Sequence, residues 1–204
     1  MKPIHLKIVF MVLMACFVGA AQAHPDHVPS GFSEGLGHPL GWDHMVAMVA
    51  VGGWAVLAQP IQRVVWGPAV FLTSMVLGAL LGFLNAGIPV GAAHLEALMT
   101  LSAMVLALMV FVPLLSQTRW AVGAGFLLAA TAAALHGLAH GIEAPATAGG
   151  GAYVVGFVLT TAALHFMGGM AAWSISRLSS KLTASVLLGS ALGGVGVYLF
   201  GQLI

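Results

Sequence analysis

Apolar residues fall into six long blocks, near 40–58, 64–84, 92–112, 120–139, 151–173 and 182–203. Each is close to the roughly 20 residues a helix needs to cross about 30 Å of hydrocarbon. The breaks carry turn chemistry: Gln59-Pro60, Asn85 with Gly87 and Pro89, Pro113 through Thr118, Ala144-Pro145 with Gly149 to Gly151, and Ser174 through Lys181. The pattern predicts six spans and leaves no room for a seventh. Small residues recur inside the blocks, and Gly189, Gly193 and Gly196 form a stripe suited to close helix packing. Met45 and Met48, at helical spacing, read as packing rather than as soft ligands.

Composition places these helices in a membrane. Of 204 residues, 60% are hydrophobic and 5% charged, whereas a soluble domain carries about 25% charged residues. So little polar surface cannot face water all round, and the chain reads as an all-α integral membrane protein. No basic run exists, so nucleic acid is not an expected partner. Residues 1–23 read as a cleavable signal peptide: Lys2 and Lys7 precede a short apolar core, and Ala21-Gln22-Ala23 fits small-residue cleavage. Residues 24–204 then form the six-span domain. Cys16 is the single cysteine, so the mature chain has no thiol to form a disulfide or hold a metal.

Charge gives the helices a direction. Past residue 23 the bases are Arg63, Arg119, Arg177 and Lys181, all on breaks after odd-numbered spans. The acids Asp26, Glu34, Asp43, Glu96 and Glu143 fall at the opposite helix ends. A signal peptide puts the mature N-terminus in the periplasm, and the positive-inside rule puts the four bases in the cytoplasm. The two arguments agree, and six spans return the C-terminus to the periplasm.

The histidines follow the acids. His24 and His27 flank Asp26, His38 and His44 bracket Asp43, His94 is near Glu96, and His140 is near Glu143. His136 and His140 share a helix face because residues four apart align. His165 lies alone, about 20 Å into the fifth block. Ionisable groups at a span centre cost about 2.5–3.5 kcal/mol on insertion scales and are candidates for function. Imidazole with carboxylate, and without thiolate, is a ligand set for borderline divalent metals such as nickel, cobalt or zinc. Thr131 to His136 (TAAALH) and Thr160 to His165 (TTAALH) are locally alike, which predicts similar settings for the two histidines.

The stretches HPLGWDHMVAMVAVGGWA, from His38, and LHGLAHGIE, at 135–143, resemble the two signatures of the HupE/UreJ family of nickel and cobalt permeases. On that resemblance His38, Asp43 and His44 match the first signature, and His136, His140 and Glu143 the second. The family's first signature usually has one more residue between its His and the Asp-His pair, and its second often opens with Phe where Leu135 stands. The resemblance implies secondary uptake of Ni²⁺ or Co²⁺ across the bacterial inner membrane, supplying hydrogenase or urease maturation.

The expected metal-binding residues are therefore His38, Asp43, His44, Glu96, His136, His140 and Glu143, with His24, His27, His94 and His165 as further candidates. The metal is cargo, so no permanent cofactor is expected. The partners are a divalent cation and the lipid bilayer, with a homo-oligomer left open. No GxxxxGK[ST] motif occurs, so transport would run downhill or through a gradient or a partner. Two other readings use the same residues. An intramembrane zinc-dependent hydrolase would gather three histidines and a carboxylate around an open metal position, and a metal-binding accessory protein would bind without transporting.

Overall fold

The computed structural model describes residues 31–84, 91–115, 118–143 and 150–202. The expected signal peptide, His24 and His27 lie outside them. Among the described residues the elements are all helical: α1 (Phe32–Gly37), a 3-10 turn (His38–Leu40), α2 (Trp42–Ala58), a second 3-10 turn (Ile61–Arg63), α3 (Trp66–Phe83), α4 (Ala92–Met109), the short α5 (Val112–Leu115), α6 (Arg119–Glu143), α7 (Gly150–Leu178) and α8 (Lys181–Gly201).

Among the described residues five stretches are long and apolar enough to cross a membrane, and a sixth is formed if α1 with its turn and α2 count as one bent span. The first expected span, at 40–58, is the unbroken helix α2 apart from its first two positions, and a bent arm precedes it. Its helix begins at Trp42, and the preceding arm meets it at 77°. The cause is local: Pro39 sits in the 3-10 turn and Gly41 is extended, with ψ at 142°, so the helix cannot run back through them. Pro113, expected to open a loop, instead lies in the first turn of α5, where its missing N–H costs no helical bond. The Ser180 hydroxyl accepts the Thr183 N–H at 3.0 Å and caps α8.

The bundle is apolar outside as well as in its core, and the core encloses a few polar side chains. Leu77, Leu80, Leu127, Phe166, Leu187 and Val197 are exposed, while His44, Thr100, His136, Thr161, His165 and Ser185 are buried. That distribution suits a lipid surround, where exposed apolar groups carry no penalty and polar groups turn inward. Helix α2 is the axis, buried along most of its length with Met45, Met48 and Trp54 in the core.

Glycines set the close approaches. A Cβ on Gly78 or Gly82 of α3 would strike the α6 carbonyls of Ala134 or Leu138, and one on Gly137 or Gly141 of α6 would strike those of Met75 or Ala79. Helices α3 and α6 thus interlock backbone to backbone. Gly52 and Gly168 do the same for α2 and α7, against His165 O and Val49 O. The Gly189–Gly193–Gly196 stripe packs on Phe111, Leu108 and Met104, as its spacing predicts.

The bases gather at one end. Lys181 Nζ donates to Leu57 O near the end of α2, at 3.3 Å, close to the turn that carries Arg63. Arg177 and Arg119 lie over Trp173 and Trp120. Exposed Trp66, Trp120 and Trp173 ring this end, as aromatic residues do at a membrane interface. Asp43 stands in the first turn of α2 and Glu96 just past the first turn of α4, at the other end, where α6 finishes at Glu143.

Candidate metal centre

Three elements bring the site together. The arm carrying His38 is pinned to α7 by Thr160 Oγ1 donating to Leu36 O at 2.9 Å. It is also held by the contacts that Gly35 and Gly156 permit with Tyr153 and Phe32. His44 stands in the first turn of α2. His136 and His140 occupy one face of α6, while Gly137 and Gly141, one residue on from each, face α3. The repeated His-Gly pair thus serves two surfaces at once: imidazole toward the centre, bare backbone toward the neighbouring helix.

His38, His44 and His140 offer nitrogens that all lie within 4.8 Å of one another. His44 Nε2 is 2.6 Å from His140 Nε2, and His38 Nε2 is 3.2 Å from His140 Nδ1. Ligand nitrogens on one ion, at bonds of about 2.0–2.1 Å, stand roughly 3.0–3.4 Å apart. A small outward movement of the rings therefore admits an ion. Asp43 Oδ1 accepts the His44 Nδ1–H at 2.8 Å, which leaves His44 Nε2 with its lone pair toward the cluster. A carboxylate orienting an imidazole through its second nitrogen is the usual support of a metal ligand. Gly41 makes room for this pair, since a Cβ there would lie 3.0 Å from Asp43 Oδ1.

With all three rings neutral, one assignment of hydrogens satisfies the set. His44 Nδ1–H donates to Asp43 Oδ1, His140 Nε2–H donates to His44 Nε2, and His38 Nε2–H donates to His140 Nδ1. Phe157 closes the side, with its ring centroid 5.7 Å from that of His38 and 5.4 Å from that of His140.

His136 adjoins the trio without being part of it. Its ring centroid is 5.3 Å from that of His44. Its Nδ1–H donates to Ala132 O at 2.8 Å, and its buried Nε2 has no partner among the described residues. His165 repeats the arrangement, with Nδ1–H donating to Thr161 O at 2.7 Å and Nε2 again buried without a partner among the described residues. The similar settings predicted from the sequence echo are thus present. Phe71 packs on both rings, at centroid distances of 6.4 and 5.0 Å.

The other candidates stand apart. His94 and Glu96 are exposed on a regular α4 and do not join the trio. Helix α6 continues through Gly141 to Glu143, as convergence of His140 and Glu143 would need, but the Glu143 side chain lies outside the described residues. Sequence reasoning missed Phe71 and Phe157, because an apolar residue in an apolar span carries no signal of its own.

His38 reaches the cluster because the bend at Gly41 folds the arm over the mouth of α2. The chain matches the family described as HupE / UreJ protein over residues 12–199. Protein HupE of Rhizobium leguminosarum bv. viciae is 34% identical over 150 residues, covering 72% of this chain and 73% of that protein. No solved structure matches. With both signatures in place and a match running through nearly its whole length, the chain belongs to the HupE/UreJ family.

Proposed function

We propose that this chain is a six-span secondary transporter that takes Ni²⁺, or Co²⁺, from the periplasm across the bacterial inner membrane, supplying hydrogenase or urease maturation. The observation that carries this reading is the convergence of His38, His44 and His140 beside Asp43 at the acidic end of the bundle. Imidazole nitrogens with one orienting carboxylate suit a borderline divalent ion. The positive-inside rule supports a cytoplasmic position for the Arg63, Arg119, Arg177 and Lys181 end, and hence a periplasmic mouth and periplasmic termini. His94, Glu96 and Glu143 belong to the mouth end, where their charge and imidazole draw cations toward the cluster. His24 and His27 extend that capture in the mature N-terminal tail.

A compact three-histidine cluster is also what a zinc hydrolase would display. Conduction is favoured because the file of imidazoles continues inward from His44 to His136, and because Asp43 is engaged in orienting His44. The full chain, purified and reconstituted into liposomes, tests the reading. It should accumulate ⁶³Ni²⁺, with unlabelled Ni²⁺ and Co²⁺ competing and Mg²⁺ not competing. Nickel bound at the cluster without accumulation would leave a metal-binding accessory protein as the better account. Zinc-dependent cleavage of a lipid amide would favour the hydrolase.

A further inference from the structure

The rings of the site form a continuous file: His44 to His136, His136 to Phe71, and Phe71 to His165, with centroids 5.3, 6.4 and 5.0 Å apart. Every member but Phe71 can ligate a metal. His165 lies at the level of Gly52, whose Cα backs directly onto the His165 carbonyl. Gly52 is eight residues beyond His44 on α2, about 12 Å deeper at 1.5 Å per residue.

A histidine retained only for structure would be expected to satisfy both nitrogens. His165 satisfies one, through its own helix, and makes no bond to a neighbouring helix among the described residues. Because Nδ1 must carry the hydrogen to meet the Thr161 carbonyl, the neutral ring presents its lone pair on Nε2. Backbone carbonyl on one nitrogen and a free lone pair on the other is how a ligating imidazole is prepared. An apolar residue of similar size would fill the position without leaving a buried acceptor unmatched. His136 is prepared in the same way at the other face of Phe71.

We propose that His165 is an inner station for the transported divalent cation, and that the Phe71 side chain is the gate between it and His136. This rests on the transporter reading above. Phe71 is fully buried and offers an ion no ligand, so it closes the file at rest. A rotation of its side chain, with α3 held against α6 by the glycine contacts, opens the step from one orphan nitrogen to the other.

Diethyl pyrocarbonate, which acylates neutral imidazole nitrogens, tests this on the full chain in detergent, read by peptide mass spectrometry. In the parent, His165 should stay unmodified behind Phe71. In Phe71→Ala it should be modified, and Ni²⁺ in the buffer should protect it; Phe71→Leu serves where Phe71→Ala does not fold. His165 modified in the parent, unreactive in both variants, or reactive but unprotected by Ni²⁺ would overturn the proposal. In liposomes, His165→Gln should lower ⁶³Ni²⁺ uptake about tenfold or more, with nickel binding at the outer cluster retained. Undiminished uptake by a folded His165→Gln would also overturn it. Protection of His165 by Ni²⁺ in a protein that moves no nickel would support the inner station while counting against transport.

Discussion

His44 Nε2 lies 2.6 Å from His140 Nε2, although 96 residues separate them in the chain. The pair ties the first turn of α2 to the last turn of α6, and it joins the two sequence signatures into one site. His38 completes it from a third element, 102 residues from His140.

Asp43 holds the geometry of this pair. Its carboxylate accepts the His44 Nδ1–H at 2.8 Å and keeps Nε2 aimed at the cluster. Asp43→Asn retains the shape and loses the charge. Nickel affinity should fall by about 10–100-fold, measured by equilibrium dialysis with ⁶³Ni²⁺, while membrane abundance stays normal. Parent-like affinity would mean that Asp43 does not support the ligand.

Helix contact through bare backbone makes a stability prediction. A Cβ on Gly52 would run into the His165 carbonyl, whereas Gly194 has nothing within 4 Å of that position. Gly52→Ala should destabilise the protein by about 1–3 kcal/mol, read as an earlier thermal unfolding transition in detergent. Gly194→Ala should be neutral or slightly stabilising, since alanine is the better helix former. Equal behaviour of the two variants would remove the close approach of α2 and α7 as a determinant of the fold.

Much of the fold was legible because its signals are local. Block length located the helices, the one-sided charges gave them a common direction, and TAAALH with TTAALH announced the shared setting of His136 and His165. What stayed hidden depends on partners distant in sequence. Nothing along the chain says that His38 meets His140, since that contact needs α1 to dock on α7 through Gly35 and Gly156. The break at Gly41 was hidden too, because a short arm of mixed polarity lacks the length that marks a span. Glu96, grouped with the ligands by its place beside His94, is exposed on α4, where helical geometry turns residues two apart to different faces.

The proposed orientation puts the basic end in the cytoplasm. In a Cys16→Ser background, Gly91→Cys should react with an impermeant thiol reagent added to intact spheroplasts, and Gln62→Cys should react only after permeabilisation. The reverse pattern would invert the topology and place the histidine cluster on the cytoplasmic side.

The most direct test is the initial rate of ⁶³Ni²⁺ uptake into liposomes carrying the parent or His140→Gln at equal protein content. His140 is the ring that contacts both His38 and His44, so its loss should dissolve the site without disturbing the glycine-packed helices. Uptake by the variant should fall about tenfold or more, with helix content unchanged by circular dichroism. Equal rates for the two proteins would contradict the account, because nickel would then be crossing by a path that does not use these histidines.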